Sequence, residues 1–74
     1  MRARVIIKTY NGWYKDYKNF LSELSNHGLS LDVSSVFTDE VWLYFHITGP
    51  NDYEILIELA KRYFGGSFIS IDQS

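Results

Sequence analysis

The feature that most constrains this chain is the way its apolar spacing changes period. Residues 3–10, ARVIIKTY, are rich in β-branched side chains and run into Asn11-Gly12, a turn pair, so they read as a strand. From Trp13 the spacing becomes helical. Trp13, Tyr17, Phe20, Leu21 and Leu24 recur on one face, and Lys15, Asp16, Lys18, Asn19, Ser22 and Glu23 fill the other. His27-Gly28 closes that helix, with Gly28 where a left-handed residue is wanted. Residues 29–37, LSLDVSSVF, alternate again and place Leu29, Leu31 and Val33 on one face. Val36 and Phe37 do not both fit a single face, so Ser34-Ser35 reads as a bulge. Thr38-Asp39 turns the chain into EVWLYFHIT (40–48), and Gly49-Pro50 ends that strand. Asn51 and Glu54 have capping-box spacing ahead of a second helical stripe, Leu56, Leu59, Ala60 and Tyr63, widened by Ile55 and Ile57. Gly65-Gly66 stops it, and SFISID (67–72) is a last short strand.

The order is therefore β-α-β-β-α-β. Right-handed crossovers around a central hairpin give an α+β, ferredoxin-like sandwich: a four-stranded antiparallel sheet in the order 4-1-3-2, with both helices on one face. The 74 residues make one domain, 1–74, with no linker, repeat or low-complexity segment. A domain of this size buries only about 60% of its unfolded surface, so its core has little to spare.

Residue 40 onward poses the functional question. Side chains alternate across a strand, so Val41, Leu43, Phe45 and Ile47 face one way and Trp42, Tyr44, His46 and Thr48 the other. Extending that register, the helix side takes Val5, Ile7, Leu31, Val33, Ile69 and Ile71. The open side takes Arg4, Ile6, Lys8, Tyr10, Ser30, Asp32, Phe68, Ser70 and Asp72. An exposed sheet face is usually polar, whereas this one is aromatic and basic at its centre. Three coverings suit it: the stems of Arg4 and Lys8 lying over the rings, a protein surface, or the bases of a single nucleic-acid strand.

Composition narrows the chemistry. Cysteine is absent, which removes disulfides, iron–sulfur clusters and thiolate sites, and the formal charge of −2 gives no global attraction to nucleic acid or acidic membranes. No apolar run nears the about 18 residues of a membrane span, and MRARVIIKTY lacks the apolar core of a secretion signal, so a cytoplasmic protein is expected. His27 and His46 fall far apart, no spacing gathers metal ligands, and no serine sits in a recognisable nucleophile motif. The expectation is a protein that is not an enzyme and uses no cofactor or metal.

From Phe20 onward, the helix, HGLSL, a hairpin, a strand closing in ITGPND, a second helix and a final strand resemble an ACT domain over about two-thirds of the chain. That resemblance implies a regulatory domain binding a small ligand such as an amino acid beside the loop after strand one, here Asn11 and Gly12, and working as paired domains. Where that family carries an aspartate before the glycine, this chain reads TYNGW. An RNA-recognition motif would carry a glycine and a leading base on strand three, which DEVWLYFHIT lacks.

The leading expectation is a non-catalytic protein-binding domain. It would be an adaptor or inhibitor of the kind phages direct against host proteins, docking through Arg4, Ile6, Lys8, Tyr10, Trp42, Tyr44, His46 and Phe68, with a second copy of itself, in a homodimer, as the simplest partner. An ACT-like small-ligand domain at Asn11 and Gly12, and a single-stranded RNA or DNA binder using the same rings, rank behind it.

Overall fold

In the computed structural model, which describes residues 1–73, the chain runs β1 (Arg2–Lys8), α1 (Trp13–Asn26), β2 (Leu31–Val36), β3 (Glu40–His46) and α2 (Pro50–Phe64). A 3-10 turn (Gly65–Ser67) then leads into β4 (Phe68–Gln73). The strands form one antiparallel sheet in the order β2-β3-β1-β4, the expected 4-1-3-2 arrangement read from its other edge. The α+β ferredoxin-like layout follows.

One face of the sheet and the inner stripes of both helices make a single core. Ala3, Val5 and Ile7 of β1 and Val41, Leu43 and Phe45 of β3 are buried against Phe20 and Leu24 of α1 and Leu56, Leu59, Ala60 and Phe64 of α2. Phe20 is the keystone: its ring meets Phe45, Tyr63 and Phe64 edge-on, with centroids 6.0, 6.1 and 5.0 Å away.

Local chemistry ends the elements. After α1, the Gly28 N–H donates to the Ser25 carbonyl and the Leu29 N–H to the Leu24 carbonyl. With Gly28 at φ 79°, this is a Schellman cap, and Leu29 is buried in the core beside Leu24. The start of α2 differs from the capping box expected of Asn51 and Glu54. Pro50 is the first helical residue, Gly49 is the N-cap, and no side chain among the described residues caps the helix. Proline suits that position because its missing N–H is needed by no partner there. Asp52 instead reaches back to accept from the Thr48 hydroxyl at 2.8 Å and the Thr48 N–H at 3.3 Å.

Two irregularities change which side chains share a face. In β4, Ser70 lies opposite Ile6 but Phe68 lies opposite Ile7, so Ile69 has no partner and is 48% exposed. Phe68 thereby packs against the core rather than on the open face, and Ile69 leaves the helix side where regular alternation would put it. A phenyl ring buries more area than an isoleucine side chain, which favours the bulged register. In β2, Leu31 pairs with Phe45 and Val33 with Tyr44, leaving Asp32 unpaired. The bulge thus lies at Asp32 and not at Ser34-Ser35. It turns Val33 out to the open face, 47% exposed, where regular alternation predicts it on the helix side.

Tyr10 is also displaced from the expected open face. β1 ends at Lys8, and the Tyr10 carbonyl accepts from the Trp13 N–H in the turn that starts α1. Its ring packs on the core and its hydroxyl donates to Asp16.

Candidate docking surface

The open face is built from alternate residues of the two central strands. On β1 these are Arg2, Arg4, Ile6 and Lys8. On β3 they are Trp42, Tyr44 and His46, with Ile6 directly opposite Trp42 and Arg4 opposite Tyr44. β2 adds Val33 opposite Tyr44 and Ser35 opposite Trp42. The hairpin after β2 brings Phe37 onto the same surface, its ring centroid 4.9 Å from that of Trp42. Opposite residues of an antiparallel pair share a face and their diagonal neighbours touch, which is why Phe37 reaches Trp42.

Two arginines lie over these rings. The Arg4 guanidinium carbon is 4.6 Å from the Trp42 ring centroid and that of Arg2 is 4.8 Å from Tyr44. Each also reaches an aspartate on an edge strand. Arg4 is hydrogen-bonded to Asp72 of β4, and Arg2 Nε is 3.7 Å from Asp32 of β2. The hydrogen bond that Arg4 donates to Asp72, followed by the interaction with Tyr44, holds its guanidinium above its ordinary pKa and fully charged. Trp42 donates its indole N–H to Glu40 at 3.0 Å. Arg4 and Arg2 therefore cover part of the rings; Arg4 lies as expected, while the second cation over the rings is Arg2 where Lys8 was expected. They leave Val33 and Phe37, at 47% and 49% exposure, uncovered beside Trp42.

Of the residues expected to bind a partner, Arg4, Ile6, Lys8, Trp42, Tyr44 and His46 come together on this face, whereas Tyr10 and Phe68 belong to the core side. Arg2, Val33 and Phe37 join it without having been anticipated. The register of β2 over Asp32 decides Val33. Phe37 was legible in principle, since a hairpin closed at Thr38-Asp39 sets it diagonal to Trp42.

Asn11 and Gly12 are exposed and form the turn into α1, where Gly12 adopts φ 92° and serves as its N-cap. A cleft lies elsewhere, between α1 and α2. It has a volume of about 290 Å³ and is lined by Glu23, His27, Ile55, Glu58, Leu59 and Arg62. Its charges are already engaged: Arg62 bridges Glu23 at 3.1 Å and Glu58 at 3.4 Å, and the Tyr63 hydroxyl donates to Glu23 at 2.7 Å. Among the described residues, no three carboxylate or imidazole side chains converge as metal ligands, and no helix is long and apolar enough to cross a membrane.

The fold and this face define a class: an open-faced α+β sandwich whose exposed sheet carries rings and arginines. Beyond that class, no protein-family model, no curated protein and no solved structure matches the chain.

Proposed function

We propose that this chain is a non-catalytic protein-binding domain, an adaptor or inhibitor acting in the cytoplasm, that docks through the open face of its sheet. The observation that carries the reading is the contiguous strip of Val33, Phe37, Trp42 and Tyr44, apolar and partly uncovered, edged by charge. Interface centres are enriched in tryptophan, tyrosine and arginine inside a polar rim, and this strip has that composition. Arg4 is committed to Asp72 and Arg2 approaches Asp32, so the face is close to balanced in charge. That balance supports a protein over a polyanion. Lys8, exposed at the end of β1, is the cation best placed to orient an acidic group on the partner.

The test is quantitative capture with the wild-type chain beside the Trp42→Ala/Tyr44→Ala double variant, followed by affinity measurement on any partner recovered. Loss of at least about thirtyfold in affinity supports the face, because even one buried aromatic anchor carries about 2 kcal/mol or more. Equal binding by both proteins sinks it. A log–log salt dependence of several units points instead to single-stranded RNA or DNA. Binding of free amino acids that survives the double variant but is lost when Asn11 and Gly12 are replaced points to the ACT-like reading.

A further inference from the structure

We propose that the free edge of β2 joins two copies of this chain, the two β2 strands pairing antiparallel about a two-fold axis at Ser35 to form one continuous eight-stranded sheet. The inference does not depend on what Trp42 and Tyr44 bind; Val33 and Phe37 border both surfaces.

It begins with the backbone. Among the described residues, β2 is hydrogen-bonded to β3 and to no other strand, so its other side presents a free row of backbone N–H and C=O groups. The Phe37 N–H donates to the Glu40 carbonyl at 2.8 Å, and Ser35 and Val33 follow in the same phase opposite Trp42 and Tyr44. Antiparallel strands alternate the direction of their polar groups, so those of Ser34 and Val36 point outward. An extended backbone is what satisfies such a row.

The residues then select a second copy. Pairing about Ser35 sets Ser34 opposite Val36 of the other copy, and these are the residues whose outward groups exchange hydrogen bonds. The same register sets Val33 opposite Phe37 on the open face, an aromatic on a β-branched residue, with the small Ser35 facing its twin at the centre. Val33, Val36 and Phe37 are each about half exposed or more, and all three lose water in that arrangement. Residues 33–38, VSSVFT, contain no charge, so no like charges meet across the axis. Edge strands that stay single usually carry lysine, proline or an inward charge, and this stretch has none. The bulge at Asp32 lies outside the paired segment. The other edge, β4, is interrupted at Ile69 and carries Asp72, already bound to Arg4.

The experiment is molar mass by sedimentation across micromolar to millimolar chain, with amide exchange read residue by residue. The wild type should approach twice the 8.7 kDa of one chain, and the Ser34 and Val36 amides should gain protection as concentration rises. Ser35→Glu and Ser35→Lys should each be monomeric, because each sets like charges face to face at the axis. An equimolar mixture of the two should regain the dimer mass. Val36→Pro, which removes an outward N–H that β3 does not use, should stay folded by circular dichroism and be monomeric. A wild type that remains monomeric throughout overturns the proposal. So does a dimer that persists in Ser35→Glu, or one that Trp42→Ala dissociates while Ser35→Glu does not, which would assign pairing to the open face.

Discussion

The Arg4 guanidinium lies over the Trp42 indole, 4.6 Å from its centroid, while its outer nitrogen is held by Asp72 on the far edge of the sheet. One side chain thus ties β3, β1 and β4 together across the open face and shields a ring that would otherwise meet water. With Trp13 replaced by phenylalanine so that Trp42 alone reports, Arg4→Ala should raise quenching of indole fluorescence by acrylamide. Arg4→Met keeps the stem and should restore most of the shielding. Equal quenching in all three proteins would mean that Arg4 does not cover the ring.

Phe20 tests the core. Its ring is fully buried and touches Phe45, Tyr63 and Phe64. Phe20→Ala should cost about 3–5 kcal/mol through lost burial and the cavity left behind, and Phe20→Leu distinctly less. Urea denaturation gives both values. In a domain of this size that leaves the first variant only marginally folded, with a much lower urea midpoint.

Gly28 tests the cap of α1. Its φ of 79° is strained for an L side chain, yet a Cβ there meets no atom within 4 Å. Gly28→Ala should therefore cost about 1–2 kcal/mol, from backbone conformation alone, and Gly28→Asn less. A neutral Gly28→Ala would mean that the helix end rearranges.

Tyr10 contributes to the alkaline limit of stability. Burial, and then the hydrogen bond to Asp16, push its phenol well above the usual tyrosine pKa. The folded state therefore holds this proton more tightly than the unfolded chain does. The contribution is complete below the unfolded value of about 10 and is lost as pH rises beyond it toward the folded one. Denaturation midpoints measured from neutral pH upward should fall above about pH 10 in the wild type and fall less steeply in Tyr10→Phe. Parallel curves would show that the phenol titrates alike in both states.

These predictions also divide what local pattern shows from what it does not. Period and punctuation place every element within a few residues, and they place Gly28 at the cap. The inward set of β3 is legible because Val41, Leu43 and Phe45 alternate without interruption and are all buried. Tyr10 is misread because a run of β-branched residues does not announce where pairing stops. The ladder ends at Lys8, with Tyr10 folded into the turn that starts α1.

The sequence by itself determined the order of strands and helices, the inner face of the central hairpin strand and the aromatic surplus on its outer face, since each is written in spacing along a few consecutive residues. Only the tertiary structure decided that Phe68 turns inward, that Val33 turns outward and that Arg2 and Arg4 lie over Tyr44 and Trp42. The physical reason is that a strand repeats every two residues, so one unpaired residue exchanges its faces. Where that residue falls is set by competition among cross-strand partners distant in sequence: Phe68 against Ile69 for the core, and Asp32 beside Arg2.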